Sequence, residues 1–232
     1  MCISDGRGDA LDEPPPPSLE GLRPLLEGFD GIPRAPIDPE LIDVLRPYQR
    51  DGVDWLVFLR RAELGALLAD DMGLGKTIQS ITYLLWLREY APKNTKRKLG
   101  PALVVCPKSV LDVWATEVGK FAPQLKLKVL RTRDDLDIEE VNNVLDILVL
   151  NYAQLRVCGD ELNKIRWLTV IPDEGQQIKN SDSKAAKCAR DLEAENRVVI
   201  TGTLIANRLM DMLFIMSFVM SVLLGHLPDF TS

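Results

Sequence analysis

Residues 68–77 read LADDMGLGKT, and the chain on either side decides how they are read. An apolar run precedes them (Ala66, Leu67, Leu68, Ala69) and a helical pattern follows (Ile78, Ile81, Leu84, Leu85). Gly73 and Gly75 permit a sharp turn that aims successive N–H groups at a phosphate. Lys76 brings a point charge to the β/γ-phosphates, and the Thr77 hydroxyl is a Mg²⁺ ligand. A helix starting near Lys76 adds the positive end of its dipole. Strand, glycine loop and helix are the context this phosphate loop requires. The strict spacing G-x-x-x-x-G-K-[ST] is broken at Asp70, which stands where the first glycine falls. The competing reading is a surface turn that holds Gly-Leu-Gly-Lys-Thr by chance.

Outward from this loop, apolar strand-like runs fall at 65–69, 102–106, 126–130, 146–150, 167–171 and 197–201. Helical patterns lie at 45–61, 76–90, 108–121, 182–194 and 207–224, and polar loops at 92–100 and 131–140. Continuous apolar strands alternating with helices predict an α/β fold, a mostly parallel sheet with helices on both faces. Ligands of such sheets sit at the carboxyl ends of the strands, where LADDMGLGKT lies.

The 232 residues carry a net charge of −6, which argues against nucleic acid until its distribution is considered. Residues 1–44 hold ten acidic and three basic side chains and eight of the fifteen prolines. They read as an acidic, Pro-rich tail, disordered or loosely packed. The remainder, 45–225 plus a short end at 226–232, is nearly neutral, so a local basic patch for phosphates is compatible with it. Cys2, Cys106, Cys158 and Cys188 are scattered, without C-x-x-C spacing, and His226 is the only histidine. A zinc site or disulfide framework is not expected, and the thiols suit a reducing compartment. No basic segment followed by an apolar one marks a secretory signal. Met212–Pro228 is uncharged, but Ser217, Ser221, Gly225 and Pro228 dilute it and no basic flank follows, so a buried helix is expected over a membrane span.

A phosphate loop needs a carboxylate partner. Residues 168–175 read LTVIPDEG, an apolar strand ending in Asp173-Glu174. An Asp at a strand end beside the loop can support Mg²⁺, and the adjacent Glu can orient the attacking water. Alone, such a pair reads equally well as a solvated turn. RVVITGT (197–203) is a further strand, ending in Thr201-Gly202-Thr203.

The order of segments resembles the first ATPase lobe of the Swi/Snf-type helicase-like ATPases of superfamily two. LRPYQRDGVDWL (45–56), LADDMGLGKTIQ (68–79), LVVCPKSVLDVWATEVGKF (103–121), DILVLNYAQLR (146–156), DEGQQIKNSDSKAAK (173–187) and TGTLIANRL (201–209) match its motifs in sequence order, Asp70 included. The resemblance implies a RecA-like lobe that binds Mg²⁺ and ATP. Tyr48 and Gln49 would read the adenine. Asp70, Asp71, Met72, Gly73, Leu74, Gly75, Lys76 and Thr77 would hold the phosphates. Thr77 and Asp173 would support the metal, Glu174 would activate water and Gln176 would sense the nucleotide state. Thr201, Gly202 and Thr203 would couple hydrolysis to lobe movement. Pro107, Lys108 and Ser109 would lie along double-stranded DNA, contacting phosphates without regard to sequence. Trp114 reads as core rather than as a base-stacking residue.

The chain departs from the family pattern at Pro172 (usually apolar), Leu204 (usually Pro), Ala206, Asn151 (usually Thr or Ser) and Met212. Pro172 removes a ladder N–H, so its strand is expected to end early and to shift Asp173 and Glu174 slightly. The motifs of the family's second lobe, which supplies arginine fingers, are absent. The expectation is a lobe truncated or split from its partner, weakly hydrolytic alone, with residues 212–224 exposing apolar surface. The rival is a degenerate module that holds nucleotide or a partner without turnover; another class of P-loop protein would need different signatures. The expected place is the cytoplasm, at the nucleoid, for a bacterial protein or the nucleus for a eukaryotic one; neither secretion nor a membrane is expected, and the resemblance leaves room for a second RecA-like lobe in trans as a partner.

Overall fold

A computed structural model describes residues 31–71, 73–90, 99–178, 183–202 and 215–220. Among the described residues six strands form, each on a run marked by the apolar pattern, with β4 and β5 reaching one residue beyond theirs: β1 (Ala66–Ala69), β2 (Ala102–Cys106), β3 (Leu127–Val129), β4 (Ile147–Asn151), β5 (Thr169–Pro172) and β6 (Val198–Thr201). Every pairing is parallel, as continuous apolar strands require. One ladder runs β3-β4-β2-β5 and a second pairs β1 with β6. The two adjoin through single bridges, Trp167 with Ala194 and Val170 with Arg197.

Pro172 explains that seam. The strand does not end early: Pro172 pairs with Val105, and Asp173 N–H donates to the Val105 carbonyl at 2.8 Å. Val170 N–H donates the other way, to the Asn196 carbonyl at 3.1 Å. By alternation along the strand, position 172 faces the same side, towards Val198, and a proline has nothing to donate there. The missing bond therefore falls between β5 and β6, and the β2–β5 ladder that carries Asp173 is intact.

Helix α1 (Pro39–Val44) starts at Asp38, whose side chain accepts the Glu40 N–H. Helix α2 (Pro47–Arg61) has Pro at its first position, where no N–H is needed. Helix α3 (Lys76–Glu89) follows the glycine loop and is buried without a break from Ile78 to Leu87. Such a helix is held on all sides, and it packs on α2 and on α4 (Leu111–Phe121). Its buried hydroxyls bond back along the helix, Ser80 to the Lys76 carbonyl and Thr82 to the Ile78 carbonyl. Shorter helices α5 (Ile138–Asn143), α6 (Tyr152–Val157) and α7 (Gly159–Leu162) and the longer α8 (Lys184–Asp191) follow, with 3-10 turns at Lys108–Val110, Arg133–Asp135 and Gly175–Ile178. The polar run 131–140, expected as loop, thus contains a 3-10 turn and the start of α5.

Leu103, Val105, Leu148, Leu150, Val170 and Val199 pack with Leu155, Ala186 and Ala189 on one face of the strands. Their neighbours Val104, Val149 and Ile171 are equally buried and point to the opposite face. Residues 215–219 are helical, and Ile215, Phe218 and Val219 join the first of these clusters. These three side chains, in the segment expected to expose apolar surface, are therefore buried by the chain's own core, while Met216 and Met220 beside them are half-buried. Residues 212–214 and 221–228, the rest of the stretch weighed as a membrane span, lie outside the described residues. No described helix is long and apolar enough to cross a membrane.

The packed chain also begins before residue 45, against the expected boundary. Ala35, Ile37 and Leu41 are buried. Asp54, 2% exposed, accepts from the Ala35 N–H at 2.8 Å and from Arg34 and Arg50, which fastens the segment to α2. Residues 1–30 lie outside the described residues.

Candidate functional site

Parallel strands put all their carboxyl ends on one edge of the sheet, and the glycine loop, the acidic pair and Thr201 meet there. Ala69, the last residue of β1, pairs with Thr201 of β6. Beyond Ala69 the chain turns through Gly73 (φ 84°) and Gly75 (φ 75°), both in the left-handed region that favours glycine. Asp70 has no positive φ, so the position of the usual first glycine makes no such demand in this chain. Lys76 and Thr77 then open α3, and the Lys76 Nζ donates to the carbonyls of Asp70 (2.8 Å) and Asp71 (2.7 Å). Met72 lies outside the described residues.

The loop is braced from α2. Gln49, buried, accepts the Arg46 N–H through Oε1 and donates through Nε2 to the Leu74 carbonyl, both at 2.9 Å. The Tyr48 hydroxyl donates to the same carbonyl at 3.1 Å. Gln49 and Tyr48, expected at an adenine, are thus brought to the phosphate loop itself, and the Gln49 amide is engaged at both ends. Gln79 on α3 is a tight contact with α2 that motif reading alone did not single out: it is buried, and its Oε1 lies only 2.0 Å from where a Cβ on Gly52 would stand.

At the end of β5, Asp173 is held at four points. Its N–H goes to Val105, its Oδ1 accepts the Glu174 N–H (2.9 Å), and its Oδ2 accepts the Trp114 indole N–H (2.9 Å). Its carbonyl accepts the Tyr152 hydroxyl (2.7 Å). Burial raises the Asp173 carboxyl above the usual carboxylate range, the Trp114 bond opposes this, and the Glu174 charge adds to it. The Glu174 N–H and the Lys76 ammonium pull it back down, so Lys76 and Asp173 share one local field. Burial also pushes the Cys106 thiol up to about 12 and the Tyr152 hydroxyl well above its ordinary value, each helped by the Asp173 charge. Trp114 is core, as expected, yet it and Tyr152 also reach the acidic pair, which no motif announces.

Glu174 has φ 56°, a left-handed conformation costly for a non-glycine residue. Gln176 donates through Nε2 to the Glu174 carboxylate and accepts the Thr201 hydroxyl through Oε1 at 3.1 Å. A continuous chain of bonds therefore runs from Glu174 to β6. Gly202 is buried beside it, and Thr203, Leu204, Ala206 and Met212 lie outside the described residues.

Pro107, Lys108 and Ser109 follow β2 on the same sheet edge, with Lys108 and Ser109 exposed. Asn151 caps α6 by accepting the Ala153 and Gln154 N–H groups, a bond that Thr and Ser side chains also make at helix starts. Among the described residues no group of three or more His, Cys, Asp or Glu side chains is arranged to hold a metal. The Thr77 hydroxyl and Asp173 carboxylate instead offer the one or two hard oxygens with which Mg²⁺ is bound alongside nucleotide phosphates, so the donor set fits that ion.

A family model described as the SNF2-related domain matches residues 48–232. The chain is 35% identical over 216 residues to a putative ATP-dependent helicase/translocase of Bacillus subtilis, YwqA, covering 91% of this chain and 23% of that protein. It is 35% identical over 191 residues to the ISWI chromatin-remodeling complex ATPase ISW1 of Saccharomyces cerevisiae, covering 80% of this chain and 16% of that one. Among solved structures, the Sulfolobus solfataricus SWI2/SNF2 ATPase core in complex with dsDNA superposes with a TM-score of 0.67 at 37% identity, over 75% of this chain and 35% of that one. The chain spans less than a quarter of the length of these two curated relatives. The family match runs through every segment of the site from Tyr48 to Thr201, and the chain belongs to the SNF2-related domain family.

Proposed function

We propose that this chain is the ATP-binding first lobe of a Swi/Snf-type DNA-dependent ATPase. The observation that carries the reading is the meeting, on one sheet edge, of a left-handed glycine loop with Lys76, a clamped Asp173 and the Glu174–Gln176–Thr201 chain. The N–H groups of the loop and the α3 dipole bind the phosphates, and Lys76 turns from the Asp70 and Asp71 carbonyls to the β/γ-phosphates. Thr77 and Asp173 would hold Mg²⁺, which would supply positive charge to the transferred phosphoryl group. Glu174 orients the attacking water. Gln176 fixes Glu174 and passes its position to Thr201, Gly202 and Thr203 as nucleotide state changes. Tyr48 packs beside the adenine, and Gln49 meets its edge through the remaining lone pair of Oε1 while holding Leu74. Pro107, Lys108 and Ser109 take DNA phosphates, so binding ignores sequence and weakens steeply with salt.

Arginine fingers are worth about 10³–10⁵ in rate in related phosphoryl transfer, so hydrolysis by this lobe rises when a second RecA-like lobe is supplied. Equilibrium binding of a labelled ATP analogue, with phosphate release measured in parallel, tests the reading. Lys76→Ala should abolish binding; equal binding by wild type and variant refutes the site. Binding without any phosphate release, even with a second lobe and DNA present, assigns the chain to a non-catalytic nucleotide-holding module instead.

A further inference from the structure

We infer that Trp114 is a positioning residue for the divalent cation of bound nucleotide, acting through the orientation of Asp173. The inference rests on the nucleotide-site reading above and adds to it a residue 59 positions from Asp173 in the chain.

A buried indole N–H needs an acceptor, and a nearby carbonyl ordinarily serves. Trp167 does this, donating to the Leu162 carbonyl five residues away at 3.1 Å. The Trp86 indole, also buried, has no acceptor among the described residues. Trp114, 1% exposed, instead donates to a carboxylate oxygen on a different element. That bond cannot swing, because α4 and the surrounding core fix the ring. It is one of two bonds that set the carboxylate plane, the other being the Glu174 N–H to Oδ1. Each carboxylate oxygen accepts one protein N–H and keeps a second lone pair for a cation or its water. Without the indole, Oδ2 loses its protein donor and the carboxyl group turns about its last bond, held at Oδ1 alone. Partners that orient metal-binding carboxylates typically change metal affinity by about 10–100-fold when removed. The backbone of Asp173 would stay in place, because its N–H and carbonyl bond separately to Val105 and Tyr152.

The test is equilibrium binding of a fluorescent ATP analogue to the full chain, in EDTA and across a magnesium titration. Wild type should bind more tightly as magnesium rises; if magnesium has no effect on wild type, the nucleotide-site reading fails before Trp114 is at issue. Trp114→Phe keeps most of the packing and removes the N–H. It should raise the magnesium concentration at half-effect by about tenfold and leave affinity in EDTA unchanged. On an Asp173→Ala background, Trp114→Phe should have no further effect on the magnesium dependence. An unchanged magnesium half-point, or equal losses in EDTA and in magnesium, overturns the inference and leaves Trp114 a packing residue. If Trp114→Phe does not fold, the wild-type indole ¹⁵N–¹H spectrum serves instead. The Trp114 peak, identified by its displacement in Asp173→Ala, should move when magnesium is added to the nucleotide-bound protein and stay still when nucleotide is added in EDTA. A peak indifferent to magnesium is the overturning result there.

Discussion

Gly73 and Gly75 both lie in the left-handed region, yet alanine at the two positions should have different consequences. An alanine forced into that region costs about 1–2 kcal/mol. At Gly73 that is the whole effect, since a Cβ there meets nothing within 4 Å. At Gly75 the Cβ would stand 2.3 Å from Gln49 Nε2, far inside van der Waals contact. Gln49 must then swing away, losing its bonds to Arg46 and to Leu74. Two such bonds are worth about 1 kcal/mol each, so Gly75→Ala should destabilise by about 3–4 kcal/mol. The excess over Gly73→Ala is about 2 kcal/mol, or roughly 4–8 °C in Tm for a chain of this size. Urea denaturation of both variants and of wild type measures it. The decisive control is Gln49→Ala: in that background Gly75→Ala should cost only the conformational part, about 1–2 kcal/mol. Equal destabilisation by the two glycine variants, or strict additivity of Gln49→Ala with Gly75→Ala, would refute the claim that Gln49 braces the loop.

Pro172→Leu should add an N–H facing the Val198 carbonyl, worth about 1 kcal/mol, against about 0.4–1 kcal/mol lost to a freer unfolded chain. The net gain in urea denaturation is therefore small, and the sharper readout is slow hydrogen exchange of the new amide; fast exchange there contradicts the assigned seam. Asp54→Ala should cost about 3 kcal/mol, because Arg50, with its side chain 14% exposed, loses its buried partner; the Arg34 pair adds little, being mostly exposed. The same variant should make the chain around Ala35 newly sensitive to protease, and unchanged proteolysis would remove Asp54 as the fastener. Cys106, with its thiol pushed up to about 12, should resist alkylation at pH 8 in the native protein and react on unfolding, since the thiolate is the nucleophile; labelling of native protein at the rate of a free thiol would contradict its burial.

Much of this architecture was legible along the chain. The six strands are short, continuous apolar runs, and being buried on both faces is what makes such runs continuous, so local composition marked each one and implied parallel pairing. Gly73, Gly75, Lys76 and Thr77 were equally plain, because a phosphate loop is built from consecutive residues with backbone demands that few side chains meet. The carboxylate pair at 173–174 gained meaning only from its place after a strand, which the apolar run supplied.

Other features depended on which distant segments came to lie together. Proline at 172 announces a missing N–H, but which neighbour loses the bond depends on register and alternation; the fold directs the loss to β6 and spares the ladder under Asp173. Residues 34–44 read as tail by composition, since a few apolar side chains among prolines and acids carry no periodicity; their anchor is Asp54, in a helix that begins only at Pro47. Trp114 and Tyr152 look like ordinary core residues, and their polar atoms meet Asp173 only once α4 and α6 are packed at the end of β5. Periodicity and spacing record the demands of one element on its own residues. A hydrogen bond across the fold is a demand between elements, and it becomes definite only when tertiary packing sets the distance.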